Sequence, residues 1–486
     1  MLELANSVYQ EVAPLIAQKH KAEFGQFMTP SNVARFMASL FPSCTLQTCR
    51  LLDAGAGLGA LSCAFLDRWK NGGFAFETVE ATAYEIDDAL RAHLAQHLAD
   101  YSQVKTNIIS GDYIKLVTAE GLQNRGYTHV ILNPPYRKIN SQSAHRLALR
   151  NVGIETVNLY SAFVALAVAT AAPGGQIVAI IPRSFCNGPY YRSFRNFILE
   201  RSAIRYMHLF ASRNKVFKDD AVLQENIIIR LERSGQQGPV TVTTSTDDSF
   251  SDIVTKKYPF ERIVFPEDPE RFIHVPTANE KNTIELSPAV HYTLADLGIK
   301  VSTGPVVDFR LKEYLRLMPE EGTVPLIYPS HLSMTGTVWP VPNLKKPNAI
   351  LCNNATEKWL YPNGFYCVVR RFSSKEEKRR VMASVVDPSA FGDHSVLGFE
   401  NHLNLFHENK HGLPELLARG LAVFLNTTAV DQNFRCFNGH TQVNATDLKL
   451  MKYPSRNTLM QLGDWVKRNS KVTQKMIDTQ LEKLTA

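Results

Sequence analysis

Leu51-Leu52-Asp53-Ala54-Gly55-Ala56-Gly57-Leu58-Gly59-Ala60 reads as the end of a strand, a sharp glycine-rich turn and the start of a helix. Glycine reaches backbone conformations that other residues avoid, and it lets a ligand approach the main chain closely. Such a turn fits a nucleotide-like ligand or a purely structural corner. Its G-x-G-x-G spacing departs from the G-x-G-x-x-G of dinucleotide sites and counts against a nicotinamide cofactor.

Working outward, short apolar strands are expected at Cys49–Asp53, Thr82–Ile86, Asn107–Ile109, Thr128–Leu132, Gln176–Ile181 and Asn226–Ile229. Helical spacing marks Asn32–Leu40, and Leu159–Thr170 reads as a buried helix stopped by Pro173-Gly174-Gly175. This alternation predicts an α/β fold, a doubly wound, mostly parallel, Rossmann-like sheet. Ligands of such sheets sit at the carboxyl ends of the strands. Composition shifts after Glu232, at the turn-rich Ser234-Gly235-Gln236-Gln237-Gly238. We therefore expect a first domain over 1–235 and a connecting segment over 236–289, with one strand near Val240–Thr246. A second, mixed α+β domain is expected over 290–486, helical from about Thr458 to Leu484.

Polar residues fall at the expected strand ends. Glu85, followed by Ile86, is placed to accept the hydroxyls of a ribose or is a solvated acid. Asp112, followed by Tyr113, can accept from an adenine amino group with the ring alongside, or it caps a helix. The strand ending at Leu132 runs into Asn133-Pro134-Pro135-Tyr136. Two successive prolines stiffen the backbone and remove two N–H donors. That leaves the side-chain oxygen of Asn133 and the carbonyl of Pro134 as acceptors for one amino group, with Tyr136 as a flat stacking surface. Amine methylation needs such a grip, because two acceptors on the amine hydrogens favour a pyramidal nitrogen with a usable lone pair. A proline-rich turn after a strand has the same sequence.

The bulk composition agrees. The chain has 486 residues, 44% hydrophobic and 20% charged, with a net charge of +7. The basic excess suits a polyanionic partner. Seven cysteines without a C-x-x-C pair suggest reduced thiols, with no disulfide framework and no metal site. No signal peptide is expected, and the most apolar stretch, Ala162–Ala172, is too short to cross a bilayer. A cytoplasmic protein is expected.

With these motifs in this order, the chain resembles the γ-class N6-adenine DNA methyltransferases of type II restriction–modification systems, TaqI-like in the catalytic domain and PstI-type overall. Gly25-Gln26-Phe27-Met28-Thr29-Pro30 looks like motif X, placed N-terminally as in that class. Asp53–Gly59 looks like motif I, although many relatives carry Asp-Pro-Ala-Cys-Gly there. Glu85 sits in motif II, Asp112 in motif III and Asn133–Tyr136 in motif IV. Asn158-Leu159-Tyr160-Ser161-Ala162-Phe163 is similar to motif V, Gly174–Pro182 to motif VI, and Val216-Phe217 to motif VIII.

The resemblance implies S-adenosylmethionine as cofactor. Phe27 and Thr29 would line its methionine end, and the chain at Asp53, Ala54, Gly55 and Gly57 would pass close to it. Glu85, Ile86, Asp112, Tyr113 and Phe163 would hold its nucleoside. Asn133, Pro134, Pro135 and Tyr136 would be catalytic, and Phe217 would stack on a flipped adenine opposite Tyr136. The second half resembles the target-recognition part of PstI-type enzymes at Ser302–Arg310 and Phe434–Asn444. Double-stranded DNA is the implied partner, methylated to protect it from a restriction endonuclease, with the enzyme working as a monomer.

Arg370, Arg371 and Lys378, in the densest basic run, are candidates for phosphate contacts or belong to a solvated helix start. Arg435, His440, Gln442 and Asn444 are candidates for base reading or form an internal polar turn. Protein-glutamine or RNA adenine N-methylation would use the same Asn-Pro-Pro-Tyr grip. The N-terminal motif X and the large second domain favour DNA.

Overall fold

β1 (Thr48–Ala54) shows why the first half folds as it does. Its side chains alternate between the two faces of a pleated sheet, and buried apolar residues lie on both faces. Leu52 and Ala54 enter one core with Val130, Leu132, Ile177 and Ala179. Leu51 enters the other with Ile131, Val178 and Ile180. A strand buried on both faces belongs to the middle of a parallel sheet covered by helices.

The computed structural model describes residues 29–122, 125–210, 225–276, 287–333, 336–373, 377–438, 442–469 and 471–485. Phe27, Phe217 and His440 lie outside the described residues. The chain divides into two compact units, Met1–Glu280 and Lys281–Ala486.

In the first unit, α1 (Ser31–Ser39) precedes β1. α2 (Ala60–Lys70), β2 (Thr78–Glu85), α3 (Asp88–Ala99), β3 (Val104–Ser110), α4 (Tyr113–Ala119) and β4 (Tyr127–Leu132) follow in alternation. Then come α5 (Ala144–Asn151), α6 (Leu159–Thr170), β5 (Ala171–Pro182), α7 (Arg192–Arg201) and β6 (Ser202–Phe210). β7 (Asn226–Arg233), β8 (Val240–Ser245) and β9 (Val254–Tyr258) complete the sheet, whose order is β3-β2-β1-β4-β5-β7-β6-β8-β9. The five strands from β3 to β5 in this order are parallel. β7 runs antiparallel between β5 and β6. The chain winds outward from β1 to β3 and then restarts on the other side of β1 at β4. The switch point therefore lies between β1 and β4, where ligands of such sheets bind.

Two local expectations change. Pro173-Gly174-Gly175 does not separate helix from strand. β5 begins directly at Ala171, and the prolyl-glycyl stretch is a bulge that shifts its register on β4 between Tyr127 and His129. Gly174 takes φ +77°, and a Cβ on Gly175 would stand 2.9 Å from the Tyr127 carbonyl oxygen, so only glycine fits against β4. The segment 236–289, read as connecting, adds β8 and β9 to the sheet. The alternation in Val240-Thr241-Val242 buries both valines fully and leaves Thr241 half-buried. α7 buries Phe194, Phe197 and Ile198, which recur at helical spacing.

The second unit is mixed α+β. Lys300–Thr303, Leu403–His407, Tyr366–Arg370 and Ala383–Val386 form a four-stranded antiparallel sheet. A five-stranded sheet, whose strands interleave with these along the chain, has Thr323–Ile327 at its centre. Five helices follow: α8 (Glu415–Leu425), α9 (Thr428–Phe437), α10 (Ala445–Leu450), α11 (Arg456–Arg468) and α12 (Gln474–Thr485). α8 and α11 pack backbone on backbone. A Cβ on Gly420 would stand 1.7 Å from the Leu459 carbonyl oxygen, and one on Gly463 1.8 Å from that of Leu416. No helix among the described residues is long and apolar enough to cross a membrane.

Candidate active site

Four adjacent parallel strands deliver their carboxyl ends to one cavity of about 240 Å³. Gly55 and Gly57 come from the end of β1, Glu85 and Ile86 from β2, Gly111, Asp112 and Tyr113 from β3, and Asn133 and Pro135 from β4. Phe163 on α6 closes one side.

The three glycines of the turn have left-handed backbone, with φ of +76° at Gly55, +55° at Gly57 and +86° at Gly59. Side-chain-bearing residues pay steric strain there. The Gly55 and Ala56 N–H groups both donate to the Tyr84 carbonyl, at 3.0 and 2.9 Å, which ties the turn to β2. A Cβ at Gly55 would stand 3.4 Å from the Phe163 ring, so the turn lies directly against the aromatic wall. The Phe163 and Tyr113 rings stand with centroids 5.0 Å apart.

Glu85 is 4% exposed. One carboxylate oxygen accepts the Gly57 N–H at 2.7 Å and the other the Asp87 N–H at 2.8 Å. Burial raises its pKa, and these two hydrogen bonds oppose the rise. A carboxylate has about four acceptor positions, so one remains on each oxygen. Asp112 caps a helix, one of its two sequence readings. One oxygen caps α4 by accepting the Lys115 N–H at 3.2 Å, and the other lies 2.5 Å from His145 Nε2 on α5. Burial alone would raise its pKa, but the His145 and Lys115 hydrogen bonds outweigh it and leave the carboxyl below its ordinary value.

The catalytic-loop candidate is held at several points. Asn133 Nδ2 donates to Thr29 Oγ1 at 3.1 Å. The Tyr136 hydroxyl lies 2.9 Å from Asn133 Oδ1 and 3.1 Å from the Ile180 carbonyl, and its ring meets Tyr160 edge-on at 6.2 Å. Burial pushes the Tyr136 phenol above its ordinary pKa. Beyond the two prolines, Leu159 N–H donates to the Arg137 carbonyl and Ile139 N–H to that of Val157, so the loop exit is clipped to the start of α6.

Some candidates stand elsewhere. Asp53 does not reach the cavity. It is 1% exposed, accepts the Ser62 hydroxyl at 2.7 Å, and its other oxygen has no hydrogen-bond partner among the described residues. Burial raises its pKa to about 7 against the opposing Ser62 hydrogen bonds. The side chains of Ala54 and Pro134 are buried and do not line the cavity. Thr29 reaches the site through Asn133. His145, Arg137 and Leu90 line the cavity without having been singled out in sequence, and Leu159 joins them from the motif V match. Arg137 follows the Asn-Pro-Pro-Tyr run directly and could have been read from that adjacency. His145 and Leu90 sit on helices whose sequence carries no motif.

In the second unit, Arg370 pairs with Glu377. Arg371 donates to the Asn401 carbonyl at 3.3 Å and to Gln442 Oε1 at 3.4 Å. Arg435 turns its donors inward, to Asp431 at 2.7 Å and to the Glu377 carbonyl at 2.9 Å. Asn444 and Asp447 cap α10 reciprocally. Arg435, Gln442 and Asn444 thus make the internal contacts of the polar-turn reading, whereas no helix starts in the basic run of Arg370, Arg371 and Lys378 among the described residues. Lys378 is exposed.

Comparison with known proteins places this geometry. Residues 58–217 match the Eco57I restriction-modification methylase family. The chain is 53% identical to the type II methyltransferase M.BsuBI of Bacillus subtilis, over 100% of this chain and 98% of that one. It is 41% identical to the type II methyltransferase M.PstI of Providencia stuartii, over 95% and 93%. Among solved structures, the DrdV–DNA complex has a TM-score of 0.50 at 12% identity, covering 96% of this chain and 59% of that one. This last likeness is one of fold.

The cofactor is S-adenosylmethionine, and the residues present fit it. The left-handed turn at Gly55 and Gly57 brings main chain without side chains to the cavity wall. The buried Glu85 keeps acceptor positions for two ribose hydroxyls, and Phe163 and Tyr113 offer aromatic surface for a purine. Relatives aligned over nearly their entire length at this identity settle the family, and the chain belongs to the type II methyltransferases of restriction–modification systems.

Proposed function

We propose that this chain methylates the exocyclic N6 of an adenine flipped out of duplex DNA. The observation that carries the reading is Asn133, which directly follows β4 on the cavity wall and is followed by two prolines. Asn133 Oδ1 and the Pro134 carbonyl accept the two hydrogens of the amine, which keeps its lone pair free for transfer. S-adenosylmethionine, when bound, supplies an electrophilic methyl, so the protein contributes chiefly position and electrostatics. Glu85 holds the ribose, Asp112 the adenine amino group of the cofactor and Phe163 its ring face. Flipping the target out of the duplex costs a few kcal/mol, and aromatic stacking recovers part of it.

The second unit reads the DNA sequence, with Lys378 among its phosphate contacts. A restriction endonuclease of the same specificity is the functional partner, and the enzyme acts as a monomer. Expression in a methylation-free host, followed by sequencing with modification detection, tests the proposal. N6-methyladenine at one recurring sequence is expected. Methylcytosine or unmodified DNA would sink it.

A further inference from the structure

The Asn133 carboxamide is held at both ends. Its Nδ2 donates to Thr29 Oγ1 at 3.1 Å, and its Oδ1 lies 2.9 Å from the Tyr136 hydroxyl. The last torsion of an asparagine joins a tetrahedral to a planar carbon, so it lacks sharp staggered wells. Its heading is therefore set by its hydrogen-bond partners. Here the heading matters, because the plane of the carboxamide decides whether the oxygen meets an amine hydrogen.

Thr29 is itself well anchored. It directly precedes Pro30, whose carbonyl accepts the Ala34 N–H at 2.9 Å in the first turn of α1. α1 is pinned to the sheet because Val33, Met37 and the following Phe41 share one core with Leu51 of β1 and Phe65 of α2. Thr29 does not line the cavity of the cofactor site. Its hydroxyl reaches the amide that directly follows β4 from 104 residues earlier in the chain.

We infer that Thr29 is a positioning residue for methyl transfer. With the Tyr136 hydroxyl as the second anchor, it fixes the plane of the Asn133 carboxamide so that Oδ1 is aimed before the target amine arrives. This rests on the amine-gripping role proposed for Asn133. It assigns Thr29 to the catalytic amide, where the family resemblance assigned it to the methionine end of the cofactor.

Thr29→Val keeps the shape and removes the acceptor, and Thr29→Ser restores it. Single-turnover transfer of tritiated methyl to duplex DNA and cofactor affinity by calorimetry are measured on all three proteins. Thr29→Val is expected to slow transfer about tenfold, the loss of roughly one hydrogen bond, with cofactor affinity unchanged. Thr29→Ser should recover the rate. A serine variant as slow as the valine one, or a valine variant at the wild-type rate, overturns the inference. So does a loss of cofactor affinity in step with the rate, which would make Thr29 a cofactor contact. If the wild-type enzyme methylates a different amine, the adenine reading fails, and the same three rates on that substrate still decide the role of Thr29.

Discussion

The Glu85 carboxylate accepts the Gly57 N–H at 2.7 Å, so the acid that ends β2 braces the glycine turn that ends β1. One side chain thus shapes the turn and presents its remaining acceptor positions to the cavity. Replacing Glu85 with alanine removes both. Cofactor affinity should fall by about tenfold to a hundredfold, the range for hydrogen bonds to a charged acceptor. Calorimetry checks this, and unchanged affinity would take Glu85 out of the site.

Asn133→Ala removes the side-chain half of the amine grip and leaves the cavity walls at Gly55, Glu85 and Phe163 in place. Methyl transfer to duplex DNA should fall by about 10²–10³, the usual loss for one preorganised polar group at a reacting centre. Cofactor binding should persist. A variant that transfers methyl at the wild-type rate contradicts the mechanism.

Asp53 has an ordinary pKa of 3.8, raised to about 7 by burial. Between those values the folded chain keeps a proton that the unfolded chain has released. Unfolding then releases a proton, so stability falls as pH rises through this window and levels off above about 7. Asp53→Asn keeps an acceptor for the Ser62 hydroxyl and removes the titration. The melting temperature of the variant relative to wild type should rise from pH 4 to pH 7 and then stay flat. A difference independent of pH would show that Asp53 is ionised in the fold throughout.

Gly420→Ala places a methyl group where the Leu459 carbonyl already stands. Neither backbone can yield without parting α8 from α11. Overpacking of this kind costs about 1–3 kcal/mol or more, read as a lower denaturant midpoint for the unfolding of the second unit. Gly463→Ala should behave alike.

Lys378 and Arg435 should separate by phenotype. Lys378→Ala is expected to weaken DNA binding uniformly across sequences and to reduce the salt slope by about one. Arg435→Ala breaks contacts to Asp431 and the Glu377 carbonyl, so it should lower stability and leave the salt slope unchanged. Equal effects on the slope would place both residues on the DNA.

Much of the site could be read from short stretches of sequence. The glycine turn, Glu85, Asp112 and Asn133 each follow a short apolar strand, and strand ends converge once the strands lie parallel. Leu159–Thr170 is apolar on every side, which marks a helix enclosed by other elements. Other features gave no such signal. Pro173-Gly174-Gly175 looks like a stop, yet it is a bulge, because only the packing against Tyr127 shows that the chain continues in the same sheet. Arg435 and Asn444 have the side chains of base readers, but Asp431 and Asp447, each within one helical turn, take up those side chains in the folded unit. Asp53 belongs to the glycine motif by position, and burial against Ser62 keeps it out of the cavity.

The boundary follows the range of the forces. Glycine's access to positive φ, proline's missing N–H and the period of apolar residues act over a few bonds, so the α/β alternation, the glycine turn and the Asn-Pro-Pro-Tyr loop were present in the order of residues alone. Thr29 and Asn133 are 104 residues apart. Their hydrogen bond exists only because α1 and β4 are packed on the same sheet, and hydrophobic burial, which drives that packing, is non-directional. Which polar atoms then meet is decided by the assembled fold.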